Sequence, residues 1–200
     1  MPNQQLTKLL GSFAHMSNEL ACFLETLPLR KYTLGRREAL LLPKMEADEA
    51  YFCYTGSCKF FWRDSNNEEL IFGFGLKDEL LVLGETFFAG LKNDGIYIEA
   101  LETSEFYGMS KQQMLEMQDN YKESIAMINA IQARMRHNWI KQTQLLLEKE
   151  GLRYALFCQL FPELLKLNLP DKELCGFLGV SRSTLARAKL KSIRNVRIDT

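Results

Sequence analysis

The sequence is poor in the residues that metal and redox chemistry rely on. It has two histidines, His15 and His137, both in segments that read as helices, so no cluster of imidazole ligands is available for a cupin-type metalloenzyme. Its five cysteines (Cys22, Cys53, Cys58, Cys158, Cys175) are odd in number and widely spread. That favours reduced thiols in a cytoplasmic protein over a disulfide framework. No run of eighteen apolar residues occurs, so no membrane-spanning helix is expected. The start, Met1-Pro2-Asn3-Gln4-Gln5, lacks the charged region and apolar stretch of a secretory signal. A Gly-rich phosphate loop, a nucleophile elbow and a Cys/His pair are also missing, which argues against an enzyme and gives no reason to expect a cofactor.

Net charge is missing too, but only as a total. The 25 basic and 25 acidic side chains cancel over 200 residues, yet residues 1–133 hold 12 Lys and Arg against 19 Asp and Glu, and residues 134–200 hold 13 against 6. A basic C-terminal part suggests a polyanion as partner, with a solvated charged face as the plain alternative. A hydrophobic share of 46% and an aromatic share of 11% are ample for a packed core.

Residues 5–26 read as one helix, with Leu6, Leu9, Leu10, Phe13, Leu20, Phe23 and Leu24 near a 3.6 period and Pro28 stopping it. From about residue 29 to 110, short apolar runs alternate with turn signals. The runs are Leu40–Leu42, Tyr51–Tyr54, Lys59–Trp62, Leu70–Phe74, Ile96–Leu101 and Glu105–Met109. The punctuation is Gly56-Ser57, Asp64-Ser65-Asn66-Asn67 and Asn93-Asp94-Gly95. Regularly spaced short strands argue for a sandwich or barrel. Ser110 and Gln113 fit a capping box for a short helix through Gln118. A long helix is then expected from about Tyr121 to Glu150, with Gly151 as its stop. Its apolar positions include Ile128, Ile131, Met135 and Trp139. A helix of this length needs a partner for its seam, and a second copy of the chain is the simplest one; an ordinary core helix is the alternative.

The segment Pro170-Asp171-Lys172-Glu173-Leu174-Cys175-Gly176-Phe177-Leu178-Gly179-Val180-Ser181-Arg182-Ser183-Thr184-Leu185-Ala186-Arg187 carries the chemistry. Pro170 suits the first position of a helix, and Asp171 and Glu173 suit its positive end. Leu174, Phe177 and Leu178 give that helix an apolar face. Gly179 can take the positive φ of a helix end, Val180 plugs the turn, and Ser181 caps the next helix, which Leu185 packs against the first. Two short helices around a tight glycine turn form a helix-turn-helix, whose second helix meets base edges with its N-terminal residues. Arg182, Ser183, Thr184 and Arg187 are then the base-facing candidates. Lys189, Lys191 and Arg194 would supply phosphate charge. A structural helical hairpin with a basic face is the alternative.

With an N-terminal helix, a β-roll, a long helix and this C-terminal Gly-Val-Ser-Arg-Ser-Thr-Leu-Ala-Arg turn, nearly the whole chain resembles the Crp/Fnr superfamily of bacterial transcription regulators. The resemblance implies an α+β fold: a double-stranded β-helix (jelly roll) of the cyclic-nucleotide-binding kind over residues 1–120, a long dimerisation helix over 121–150, and a winged helix-turn-helix over 151–200. It also implies a homodimer on double-stranded DNA, regulated by a small-molecule effector of unknown identity, and RNA polymerase is a further partner such a regulator can have. The family's base-reading positions fall on Arg182, Ser183 and Arg187. Where the cyclic-AMP receptor has a glutamate this chain has Ser183, so the half-sites need not agree.

In cyclic-nucleotide sensors of this family a Gly-Glu pair holds the ribose, and a following arginine pairs with the cyclic phosphate. Here Asp78-Glu79 or Gly84-Glu85 could imitate the first element, but Tyr97, Ile98 and Glu99 occupy the neighbourhood of the missing arginine. A buried phosphate without a cation loses a strong charge-assisted bond, so cyclic AMP is not the expected effector. Glu79, Glu85, Tyr97 and Glu99 are the candidate pocket residues. An iron–sulfur sensor of the family would need four thiolates, and Cys22 stands alone near the N-terminus. A ligand-binding sensor whose helix-turn-helix docks protein is the second reading.

Overall fold

The computed structural model describes the backbone of residues 1–196 and the side chains of residues 1–192 except Glu85 and Ala89. The side chains of Arg194 and Arg197, and that of Glu85, therefore lie outside the described residues. The chain divides into two compact units: residues 1–62 with 73–134, and residues 63–72 with 135–200. The division falls inside the long helix.

In the first unit, the segment expected as one helix is two: α1 (Pro2–Gly11) and α2 (Asn18–Thr26). Two hydroxyls account for the break. Ser12 Oγ donates back to the Leu9 carbonyl, and Ser17 Oγ accepts from Leu20 N–H at 3.2 Å as an N-cap. Such local bonds compete with helix continuation and open a new helix instead. Leu6, Leu10, Leu20 and Leu24 are all buried. Asn3 fastens the pair by donating to the carbonyls of Leu24 and Leu27 at 3.0 and 2.8 Å.

Eight strands follow: β1 (Arg30–Leu34), β2 (Ala39–Leu41), β3 (Glu49–Thr55), β4 (Ser57–Arg63), β5 (Glu69–Leu76), β6 (Glu79–Leu81), β7 (Tyr97–Ala100) and β8 (Ser104–Ser110). A short helix, α3 (Gly84–Ala89), sits between β6 and β7. The strands form two four-stranded sheets in the orders β1-β8-β3-β6 and β2-β7-β4-β5, which is the jelly-roll arrangement. Among the core residues are Phe52, Cys53, Cys58, Phe61, Ile98, Ala100 and Phe106, each at 0–1% exposure. The predicted capping box is present at α4 (Lys111–Asn120): Ser110 Oγ accepts from Gln113 N–H, and the Gln113 side chain accepts from Ser110 N–H.

The long helix is α5 (Glu123–Leu147), 25 residues and so about 37 Å at 1.5 Å per residue. It does not stop at Gly151, as the sequence reading expected. Gly151 lies in the first turn of the next helix, α6 (Glu150–Leu160), and is not among the glycines with positive φ. The carbonyls at the end of α5 are taken up by an arginine side chain instead, described below. After α6 come a 3-10 turn (Leu164–Leu167), α7 (Asp171–Leu178) and α8 (Arg182–Val196). Phe157 of α6 and Phe161 just past its end meet Phe177 of α7 edge to face, with ring centroids 5.9 and 5.4 Å apart. The tip of the β4–β5 hairpin packs in this second unit: a Cβ on Gly176 of α7 would come within 3.0 Å of the Glu69 carbonyl, so glycine permits that close approach.

Candidate nucleic-acid interface

The end of α7 follows the chemistry of its residues. Gly179 adopts φ 59°, ψ 44°, a left-handed conformation that glycine reaches without a Cβ penalty, and its N–H bonds the Cys175 carbonyl. Val180 N–H reaches that same carbonyl at 3.2 Å. Pro170 is the residue before the first turn of α7, one place earlier than expected. Ser181 caps α8, its Oγ accepting from Thr184 N–H at 3.1 Å. Leu185 and Ala188 are buried, and so are Leu174, Phe177 and Leu178 on the facing helix. This leaves Arg182, Ser183, Ala186, Arg187, Leu190 and Lys191 exposed on the outer side of α8.

The base-facing candidates sit close together but not in equal states. Ser181 Oγ is hydrogen-bonded to the hydroxyls of Ser183 and Thr184 at 2.9 and 3.0 Å. Arg187 Nε donates to the Ser183 carbonyl at 3.3 Å, so its side chain lies back along its own helix. Arg182 is exposed. Lys189, expected to hold phosphate, ion-pairs with Asp171 at 2.5 Å and lies 5.9 Å from the centre of the Tyr154 ring. It ties α8 to α7. Lys191 is exposed.

Arg153 of α6 escaped the sequence reading. Its Nε donates to the Glu148 carbonyl at 2.9 Å and Nη2 to Leu146 at 2.9 Å. Nη1 donates to Leu178 at 2.9 Å and to Gly179 at 3.0 Å. One guanidinium thus takes carbonyls from the ends of two helices, α5 and α7. No local motif announces this, because the four acceptors are backbone atoms that only the fold assembles.

On α5, two of the four seam candidates face inward. Ile128 and Ile131 are each 8% exposed within the chain itself, and Met135 is half-buried. Trp139 is 62% exposed, with Ile140 at 64% and Leu147 at 83%. Ile125 and Leu146 are exposed as well, so Ile125, Trp139 and Leu146 stand at multiples of seven residues, and Ile140 and Leu147 repeat that spacing one place on.

Of the candidate pocket residues with described side chains, Tyr97 and Glu99 lie on β7 and Glu79 on β6. Tyr97 and Glu99 share a face of β7, while Ile98 and Ala100 take the opposite, buried one. The register sets Lys59 against Glu99 and Phe61 against Tyr97. The Lys59 ammonium, 2% exposed, lies 3.3 Å from the Glu99 carboxylate and 4.7 Å from the Phe61 ring centre. Tyr97 stacks on Phe61 with centroids 4.9 Å apart. Glu79 belongs to the other sheet, accepting from Leu76 N–H at 2.9 Å and facing Arg134 at 3.6 Å. A polar cleft of about 350 Å³ does open on the first unit, between Pro28, Arg30, Glu49, Ser110, Gln113 and Glu116, and none of the candidates lines it. Among the described residues no group of three His, Cys, Asp or Glu is placed to hold a metal ion, and no helix is long and apolar enough to cross a membrane.

No family model and no curated protein sequence matches this chain. Solved structures do. FixK2 from Bradyrhizobium japonicum superposes with a TM-score of 0.71 at 16% identity, covering 86% of this chain and 87% of that one. A transcriptional regulator of the crp/fnr family from Eubacterium rectale gives 0.66 at 10% identity, over 92% and 85%. A CooA variant from Carboxydothermus hydrogenoformans gives 0.66 at 12% identity, over 94% and 83%. The fold is that of the Crp/Fnr regulators.

No strand follows β8 among the described residues, and the link between α6 and α7 is the 3-10 turn Leu164–Leu167, closed by Asn168 with φ 46°. The ten residues that join α6 to α7, 161–170, include the buried Phe161 and Leu164. At 10–16% identity the likeness to Crp/Fnr structures is one of fold.

Proposed function

We propose that this chain is a cytoplasmic, sequence-specific DNA-binding transcription regulator that works as a homodimer. The observation that carries the reading is the joint between α7 and α8: a left-handed Gly179 cap, a Ser181 N-cap, and Arg182, Ser183 and Arg187 outward on the first two turns of α8. In this motif those turns enter the major groove, where arginine can bond guanine O6 and N7 together. Arg182 and Arg187 read bases, Ser183 and Thr184 serve a base or a phosphate, and Lys191 holds backbone phosphate.

The exposed heptad-spaced side chains Ile125, Trp139, Ile140, Leu146 and Leu147 supply the seam for a second copy. A dimer would set two reading helices one turn of duplex apart, about 34 Å. Cyclic AMP is not the effector: the stretch where a phosphate-binding arginine is required holds Tyr97 and Glu99, and Glu99 already neutralises Lys59. The test is a salt titration of binding to duplex DNA, followed by selection of bound sequences from a random pool. Affinity should fall steeply with salt, and a two-fold-symmetric site should emerge. No binding at low salt overturns the proposal and leaves protein docking by the helix-turn-helix as the reading.

A further inference from the structure

Four of the five N–H groups of Arg153 are used, and every acceptor is a backbone carbonyl at a helix end. Leu146 and Glu148 close α5; Leu178 and Gly179 close α7. Carbonyls in the last turn of a helix have no intrahelical partner, and a cation there also meets the negative end of the helix dipole. A single flat guanidinium meets two such ends at once, which the three-donor ammonium of a lysine could not do with the same fixed fork. Gly179 is fitted to the contact, since a Cβ there would stand 3.1 Å from Nη1. Two residues after that cap, Ser181 opens the helix that carries Arg182.

We propose that Arg153 is a positioning residue that fixes the angle between the end of α5 and the reading helix α8, so that the two move as one body. The inference rests on the DNA-binding reading of α8 for its functional consequence, but its structural half stands without it. Without the guanidinium, the end of α5 and the α7–α8 turn each keep their own backbone bonds and lose the link between them. The reading helix would still carry its charges and still attract duplex, but in a range of orientations. Binding to random DNA, which depends on charge, should then persist while discrimination falls.

The experiment compares full-length wild type, Arg153→Lys and Arg153→Gln by hydrogen exchange and by binding to both the selected duplex and a random one. In Arg153→Gln, exchange should quicken at least tenfold in both segments the guanidinium joins, residues 145–149 and 178–181, with helices α1 and α4 unchanged. Affinity for the selected duplex should fall at least tenfold, and affinity for random duplex less than threefold. Arg153→Lys should lie between, which separates loss of the fork from loss of charge or of folding. Quickened exchange at 178–181 alone overturns the link, because the two ends would then be held separately. Equal affinity losses on both duplexes overturn the positioning role. If the wild type binds no DNA, the DNA-binding reading fails, while the exchange data still decide whether Arg153 joins the two ends.

Discussion

Lys189 on α8 and Asp171 at the start of α7 stand 2.5 Å apart, nitrogen to oxygen. The pair links the two helices of the motif and spends a charge that the sequence alone would assign to phosphate. Lys189→Ala should therefore leave the salt dependence of DNA binding almost unchanged and cost less than about 1 kcal/mol of stability, as suits a solvent-screened pair. Lys191→Ala should lower the slope of log affinity against log salt by about one. Slopes measured by fluorescence anisotropy decide it, and the reverse ranking would return Lys189 to the phosphate contacts.

Arg182→Ala should weaken binding to the selected duplex by about 1–3 kcal/mol and relax preference at one base position in each half-site. A repeat of the selection with the variant gives the readout. A loss of the same size on every sequence would make Arg182 a phosphate contact.

The apolar residues of α5 should separate into two kinds. Trp139→Asp, at a side chain largely outside the chain's own core, should shift the protein to monomer in light scattering while its unfolding temperature at low concentration stays close to wild type. Ile128→Ala, at a buried one, should destabilise the folded chain by about 2–4 kcal/mol. Should Trp139→Asp remain a dimer, the heptad seam is misplaced.

Alkali should unfold the roll. Burial raises the proton affinity of Tyr32, Tyr51, Cys53 and Cys58, with the Glu49 carboxylate hydrogen-bonded to the Tyr32 hydroxyl adding to it, and Cys53 is pushed up to about 12. Groups that hold protons more tightly when folded stabilise fully below their unfolded values and lose that contribution as pH climbs toward the folded ones. The unfolding temperature should thus be level near neutrality and decline from about pH 9 upward, where unfolded thiols and then phenols begin to ionise. Cys53→Ala should flatten the first part of the decline. A thiol reagent at pH 8 should label exposed Cys22 quickly and Cys58 only on unfolding.

Much of this architecture was legible because the local chemistry agreed with the fold. Gly56-Ser57, Asp64–Asn67 and Asn93–Gly95 marked turns that are present between strands, and Ser110, Gly179 and Ser181 marked helix ends that form as their side chains require. β1 and β6 were missed: Arg30–Leu34 is exposed or half-buried with no apolar run, and Glu79–Leu81 is a three-residue strand whose apolar run, Leu80 to Leu83, carries on past its end. Within the candidate site, the Ser181 cap was readable because its partner, Thr184 N–H, is local. Arg153, the Lys189–Asp171 pair and the Lys59–Glu99 pair were not, because each joins elements whose approach is set by the packing of the whole unit. Gly151 misled for a related reason: a glycine signals a stop only when nothing else takes up the carbonyls before it.

The cap of α8 has a bearing on energetics as well as on shape. Ser181 Oγ holds the hydroxyls of Ser183 and Thr184 within one small cluster before any duplex is present. Freezing a mobile side chain on association costs about 0.5–1.5 kcal/mol, and these three have little rotamer freedom left to lose. The entropy of recognition then falls mainly on the two long arginines. Discrimination between operators should accordingly show its temperature dependence at the bases that Arg182 and Arg187 touch, and very little at those facing the serines.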